Sequence, residues 1–532
     1  MDDIVFTPKQ EAGIVAAKAG ENVFFTGPAG SGKSAAIKKL IRELPGKVGV
    51  VASTGVAAVN IGGSTIYSWA GIGLGKDGVD DIVDKLKKMQ RYGKSKKIEN
   101  PGTRIATYDT LIIDEISMLP KQIFDKLDKV FRIMRAKTAS PFAPKNHILP
   151  QNKPFGGMQL ILVGDFFQLP PVHKDVANCE ICGSKPKTIR EGKKVLYECS
   201  QKKDSRCETA KWDNILRFCF DADVNGRNLW DECEFSVQIL DTVHRQDEPW
   251  FVQFLNRLRV GAQTPKDIEQ LMSRCGKNTI DVSDGIKPTV LYTHNMDVDE
   301  QNQMEYKAID DLLEVVYLSK KLSVNRHTGE RNYHGSRLLD MISKGCPAKE
   351  TQALKVGTQV MLVANLSVAD GLCNGTRGVV IGFSPAKDVK KQYVQRMPDA
   401  TLLPRVRFFL KSGEYCDRIV KPNEWEATTN DECATFTQIP LVYGWATTIH
   451  KSQGMTLTKV IMSLDSAFAE GQVYVALSRA ARLEGCLWVQ TLDPRKIKVH
   501  PAVHKFYLKH ERKHPSVEEL AGSRNKRIKL DA

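Results

Sequence analysis

Short, wholly apolar runs alternate with glycine- and hydroxyl-rich turns along this chain, a pattern that predicts parallel strands buried on both faces. Val23-Phe24-Phe25 runs into Gly27-Pro28-Ala29-Gly30-Ser31-Gly32-Lys33-Ser34 and then into Ala35-Ala36-Ile37-Lys38-Lys39-Leu40, which holds good helix formers. Val48 to Ala52, Leu111-Ile112-Ile113 and Leu160 to Val163 repeat the strand pattern. Leu291-Tyr292, Tyr443 to Thr448 and Val473 to Leu477 read the same way, each an apolar strand entering a Gly, Ser, Thr or Arg turn. From Gly75 to Gln90 the period changes: Val79, Ile82, Val83, Leu86 and Met89 share one face of a helix. The stretch after it, with Lys94, Lys96, Lys97 and Pro101-Gly102, reads as loop. Between Val356 and Val420 the texture is that of short strands and turns, at 357–363, 378–383 and 405–409.

At 532 residues the chain exceeds what one core serves, so several domains are expected. Its 42% hydrophobic and 26% charged residues are those of globular protein, and no apolar run is long enough for a membrane span. Met1-Asp2-Asp3-Ile4 has the form of neither a secretory signal nor a mitochondrial presequence. A net charge of +15 points to a polyanionic partner, nucleic acid first, although a basic protein can also simply carry solvated lysines. Most of the twelve cysteines are scattered, as in a reducing compartment.

The candidate chemistry lies where apolar strands end. Gly27 to Ser34, between a strand and a helix, has the form of a P-loop: its glycines let backbone N–H groups face phosphate oxygens, Lys33 faces the β- and γ-phosphates, and the Ser34 hydroxyl ligates Mg²⁺. Gln10, upstream in Thr7-Pro8-Lys9-Gln10, can read both edges of adenine through its amide; the same four residues also make a good helix start. Asp114-Glu115 ends a strand, which places Asp114 to hold Mg²⁺ and Glu115 to act as general base on water. Gln168, after the strand at 160–163, is placed to sense the γ-phosphate. The small and hydroxylated residues of 53–75, including Thr54, Gly55 and Thr65, suit a sugar-phosphate chain. Tyr67 and Trp69 are either base-stacking rings or core.

IIDEISML, VGDFFQLPPV and PFGGMQ together resemble superfamily 1 helicases, and in particular the petite-integration-frequency family, relatives of the RecD subunit. The family's helix-then-PFGG signature is matched from Phe124-Asp125-Lys126-Leu127 through Arg132 and Arg135 to Pro154, with a longer proline-bearing connection before Pro154. Thr242-Val243-His244-Arg245-Gln246, Leu291 to Asn295, Tyr443 to Gly454 and Val473 to Ala480 follow in the family's order. Tyr67 stands where relatives mostly carry histidine. The resemblance implies an α/β fold of two RecA-like P-loop lobes, with a small wedge excursion, a Cys-rich insert and a small SH3-like β-barrel insert. It implies that Arg245 and Arg479 reach ATP from the second lobe, Arg479 as finger. It also implies that Thr293, His294, Asn295, His450, Lys451 and Ser452 grip the nucleic acid. The expected division is 1–240 for the first lobe (wedge 71–104, insert 174–210), 241–310 and 436–500 for the second, 311–435 for the β-rich insert and 501–532 for a helix and tail. The implied activity is 5′ to 3′ translocation on single-stranded DNA with ATP and Mg²⁺, by a monomer, on tailed or forked duplexes and G-quadruplexes. An RNA helicase, or a nucleotide-switched clamp that does not move, are the alternatives.

Cys179, Cys182, Cys199 and Cys207 interrupt the family's order in a lysine-rich stretch. Four thiolates suit one structural zinc; the wide second spacing leaves Cys219 or His173 as substitutes, and an insert with incidental cysteines as the alternative. The basic cluster from Arg524 to Lys529 reads as a nuclear localisation signal or a nucleic-acid patch. The expected location is nuclear, or a cytoplasmic factory for a viral chain.

Overall fold

The computed structural model describes residues 5–511 except 74, 93–99, 137–148, 172–178, 180–181, 183, 192–193, 202–210, 213–217, 224–225, 283–284, 311–312, 326–327, 334–335, 365, 368–369, 373, 386–401, 411–413 and 429–431. Cys207, His173 and the basic tail therefore lie outside the described residues.

Six parallel strands form the first lobe's sheet, in the order Ser64–Thr65, Val48–Ala52, Thr110–Asp114, Gln159–Val163, Val23–Thr26, Ser236–Ile239. Their apolar runs are continuous because both faces are covered. Phe24, Leu111, Ile113, Leu160 and Leu162 enter one core, while Val23, Phe25, Ile112, Ile161 and Val163 enter another with Ile14, Ile37 and Leu40. Four more parallel strands form the second lobe, in the order Ala446–Thr448, Thr289–Tyr292, Val460–Ser463, Leu487–Thr491. In both sheets the candidate residues sit at the carboxyl ends of strands, where open α/β sheets bind ligands.

Two expectations of secondary structure need correction. Val473 to Leu477 lies in the helix Gln472–Leu477, wholly buried, not in a strand. A short run apolar on every side carries no period that separates helix from strand. Pro101-Gly102 opens the helix Pro101–Thr107 instead of lying in a loop: Asn100 accepts the Thr103 N–H at 2.9 Å and proline occupies the first turn, where its missing N–H costs nothing.

The helix Lys121–Met134 shows what the family signature does physically. Lys126 donates to the carbonyls of Gly75 and Asp77 at 2.6 and 2.8 Å, and Arg135 donates to those of Ile105, Tyr108 and Gly156. Asp128, fully buried, accepts the Phe155 N–H at 2.7 Å and pins a turn in which Phe155 has φ 50°. These charged residues hold loops. The helix Val79–Tyr92 packs its apolar face into the same core.

The residues between the two halves of the second lobe form antiparallel sheets. One runs Tyr415–Ile419, Leu402–Phe409, Arg377–Pro385, Gln359–Leu362, Leu441–Tyr443, and so reaches beyond the expected boundary at residue 435. The helix Pro501–Glu511 returns to the first lobe, where Phe506 and Tyr507 pack with Phe24, Phe166 and Trp230.

Candidate nucleotide and nucleic-acid site

Gly30 and Gly32 take φ of 82° and 79°, the left-handed region that lets the P-loop turn back over the start of the helix Lys33–Glu43. A Cβ on Gly30 would stand 2.5 Å from Cβ of Arg245, so the loop also needs glycine for close approach. Lys33 donates to the carbonyls of Gly27 and Pro28 at 2.7 and 2.8 Å, bonds for which phosphate oxygens would compete. Burial lowers its pKa to about 8 against the opposing pull of Asp165 and Glu115. Gln10 is engaged twice. It caps its own helix, accepting from Thr7 N–H at 2.8 Å, and donates to the carbonyls of Ser31 and Gly32 at 3.3 and 3.4 Å. Its amide thus braces the P-loop, and adenine would have to exchange with these bonds.

Asp114 ends its strand and accepts the Glu115 N–H at 2.8 Å. Glu115 itself has φ 52°, a left-handed conformation that costs a non-glycine residue about 1 to 3 kcal/mol and is held here by Ser53, whose hydroxyl donates to the Glu115 carbonyl at 2.7 Å. That turn aims the carboxylate across the cleft, where Gln453 of the second lobe donates to it at 2.9 Å. Burial raises the pKa of both carboxyls, and for Asp114 the neighbouring Glu115 adds to it. A cation between them would reverse this. Ser34, Asp114 and Glu115 line one cavity of about 110 Å³, all oxygen donors, which suits Mg²⁺.

The larger cleft, about 640 Å³, is lined by Ala29 to Ser34, Glu115, Gln168, Arg245 and Arg479. Gln168 is fixed through its amide to Asp165 at 3.3 Å. Arg245 does not reach across from the far lobe as expected. His244 N–H donates to the Gly30 carbonyl at 2.9 Å, so Arg245 rides on the P-loop at the seam and extends its guanidinium to the Ser478 carbonyl at 3.1 Å. Arg479 does come from the second lobe. It is 1% exposed and donates to the carbonyls of Val475, Ser452 and Met455 and to the Ser478 hydroxyl. Burial first, then Arg245, holds its pKa well below the usual arginine range.

The residues expected to grip nucleic acid divide. Thr54 and Thr65 accept backbone N–H groups at helix starts, each at 3.3 Å, which leaves each hydroxyl hydrogen for another acceptor. Gly55 opens the helix Gly55–Asn60 beside Thr54. His294, Asn295 and Lys451 are exposed, and His450 is half-buried with its pKa lowered by burial. Ser452 must be removed from the set: it is 0% exposed and its hydroxyl donates to the Ile449 carbonyl at 2.8 Å. Thr293 is 5% exposed and spends its hydroxyl on Ser466 at 3.0 Å. Tyr67 is half-buried against the first lobe's core, and Trp69 is inside that core, edge-on to Tyr108 at 5.5 Å.

Cys179, Cys182 and Cys199 converge, their sulfurs all within 4.8 Å of one another, as thiols. The hairpin of Pro186–Glu191 and Lys194–Cys199 carries Cys199 back to the turn that holds the other two. Cys219 does not join them. It packs in the first lobe's core, where burial raises its pKa, and is excluded as the fourth ligand.

The family model described as PIF1-like helicase matches residues 8–209, and that of the DNA helicase Pif1 2B domain matches 337–383. The crystal structure of Pif1 helicase from Candida albicans matches with a TM-score of 0.68 and 30% identity, over 95% of this chain and 99% of that one. This chain belongs to the PIF1-like helicase family. The ATP-dependent DNA helicase PIF1 of Homo sapiens is 34% identical over 504 residues, which are 94% of this chain and 63% of the relative. The chain thus spans less than two thirds of that relative. A Bacteroides Pif1 solved bound to ssDNA has 25% identity and a TM-score of 0.57, over 96% of this chain and 98% of that one.

In this PIF1-like chain the structure also brings forward residues that the motifs alone did not single out. Tyr474, buried in the second lobe, accepts the Ala29 N–H of the P-loop at 2.8 Å. Arg259 forms a bidentate pair with Asp165, both bonds 2.8 Å, and Tyr507 joins it from the last helix. Tyr474 lies within the stretch Val473 to Ala480, but nothing in a linear sequence says which lobe its hydroxyl faces.

Proposed function

We propose that this chain is an ATP-dependent DNA helicase that hydrolyses MgATP between its lobes and advances 5′ to 3′ along single-stranded DNA. One observation carries the reading: the hydrolytic set is split. Lys33, Asp114 and Glu115 belong to one lobe and Arg479 to the other, and Gln453 of the second lobe bonds the base Glu115 itself. A cleft assembled this way ties hydrolysis to relative movement of the lobes, which a clamp does not require. Ser34 and Asp114 would hold Mg²⁺, whose charge supports that of Lys33 on the β- and γ-phosphates. The human relative is a DNA helicase and the Bacteroides Pif1 was solved on single-stranded DNA, which favours DNA over RNA. Polarity, action as a monomer on forked or tailed duplexes and G-quadruplexes, and nuclear location belong to the same reading on family resemblance.

Strand separation on duplexes with 5′ or 3′ tails, in DNA and in RNA, tests it. ATP-driven opening of the 5′-tailed DNA duplex is expected, with turnover stimulated by single-stranded DNA. Opening of 3′-tailed duplexes alone would reverse the polarity, opening of RNA alone would favour the RNA reading, and stimulated turnover without any opening would leave a clamp.

We infer also that the insert binds one zinc through Cys179, Cys182 and Cys199. Two of these thiols are 0% and 1% exposed in a segment too small to have its own core, the setting in which zinc replaces a core. Cys207 or His173 remains for the fourth position. Purified protein is expected to contain about one zinc per chain. Cys182→Ser should release it while ATP turnover persists, because the P-loop, Asp114 and Glu115 stand on a separate core. Metal-free protein prepared without chelators would remove the site. Loss of turnover in Cys182→Ser would show instead that the insert supports the motor.

A further inference from the structure

A half-exposed phenylalanine is ordinary on a protein surface. Phe468 is 54% exposed, and its surroundings are not ordinary. Its ring stacks on His294, centroids 5.4 Å apart and planes 10° from parallel, and lies 6.3 Å and 23° from His450. The three rings arrive from the carboxyl ends of three adjacent parallel strands: Thr289–Tyr292 leads to His294, Ala446–Thr448 to His450 and Val460–Ser463 to Phe468. That edge is where a parallel sheet presents its ligand residues. Met296, two residues beyond His294, is 83% exposed, and Lys451 beside His450 adds an exposed cation.

The loop that carries Phe468 is held in place. Leu464 and Ala467 are buried, Ser466 shares a hydrogen bond with Thr293, and Gln472, fully buried, accepts the N–H groups of Phe468 and Ala469 at 2.9 and 3.1 Å. An apolar ring fixed toward solvent has its ordering cost already met, as a recognition surface requires.

We infer that His294, Phe468 and His450 form a stacking platform for a nucleobase of the bound single strand, with Phe468 its principal ring. The platform rests on the single-strand-binding function proposed above. A base has two apolar faces and a charged backbone, and the platform pairs parallel rings with a neighbouring cation. Every base has such a face, so the contact tolerates any sequence. The same loop ends at Gly471, where a Cβ would stand 2.4 and 2.6 Å from the carbonyl oxygens of Phe167 and Gln168. His450 lines the 110 Å³ cavity with Ser34, Asp114 and Glu115. A base seated on the rings therefore bears on segments that contact the γ-phosphate sensor and the hydrolytic carboxylates.

The test is equilibrium binding of the full chain to a labelled oligothymidylate of about ten nucleotides and to an abasic strand of the same length, across a salt series. Phe468→Ala is expected to weaken binding of oligothymidylate by roughly 5- to 150-fold, the range for loss of one stacked base. The slope of log affinity against log salt should not change, because no phosphate contact is removed. Binding to the abasic strand should not fall. Phe468→Trp should retain the affinity, whereas Phe468→Leu, apolar but not aromatic, should lose it as alanine does. Wild-type-like binding by Phe468→Leu, an equal loss on both strands, or no loss in Phe468→Ala would each overturn the platform. A wild-type chain that binds neither strand would overturn the proposed function along with it; a chain that binds single strands without this base-dependent term fails here alone.

Discussion

Arg479→Ala is expected to slow ATP turnover by roughly 10³- to 10⁵-fold, the range measured for arginine fingers in other phosphoryl-transfer enzymes. Its guanidinium is buried at the cleft wall beside Arg245, and burial and Arg245 both disfavour its charge there. Such a cation gains most when negative charge arrives and develops on the transferred phosphoryl group. Two of its bonds, to the carbonyls of Ser452 and Met455, are long at 3.4 Å, so exchanging them for phosphate oxygens sacrifices little. Nucleotide binding should survive, because the P-loop stands on the other lobe. Arg479→Lys keeps a charge but not the planar fork, and should recover only a small part of the rate. Removal also strips carbonyls of their donor, so a melting curve must accompany the ATPase and nucleotide-binding measurements. A loss smaller than about tenfold in a folded variant would remove Arg479 from the finger role.

Glu115→Gln is expected to lower turnover by about 10²- to 10⁴-fold with ATP and single-stranded DNA still bound, because an amide cannot take the proton from the attacking water. The variant isolates that function cleanly. Gln453 donates to the Glu115 carboxylate, and the amide oxygen of glutamine can accept the same bond, so the contact between lobes is kept. The strained φ of 52° belongs to the backbone and is unaffected by the exchange. Single-turnover hydrolysis alongside equilibrium nucleotide binding is the measurement. If ATP binding falls as far as the rate, Glu115 is part of the binding framework and another group activates water.

The physical basis of sequence legibility differs from residue to residue. Lys33 could be placed because a glycine-rich turn carries it from the end of an apolar strand to the start of a helix, and Asp114 and Glu115 because they close an apolar strand; that local order already sets where the side chains emerge. Trp69 could not, since an aromatic beside a small-residue segment suits a core and a stacking surface equally; contact with Tyr108 and the first lobe's core decides it. Ser452 carries the same chemistry whether it faces solvent or Ile449, and only the turn 449–452 turns it inward. Phe468 was invisible as a candidate because the ring it stacks on, His294, is far from it in the chain, and only the pairing of their strands brings the two together.

By itself, then, the sequence determined the two parallel lobes, the chemistry of the P-loop and its paired carboxylates, and the family. These follow from periodicity, from strand-end position and from residue types whose spacing is local. The tertiary structure alone decided how distant segments meet: Arg245 riding on Gly30 and reaching Ser478, Tyr474 on the Ala29 N–H, Gln453 on Glu115, and the last helix returning Tyr507 to Asp165 within the first lobe. Each of these contacts joins residues more than two hundred positions apart. Such contacts form only when separately folded surfaces are brought together, and no local propensity or period along the chain encodes which atoms then face each other.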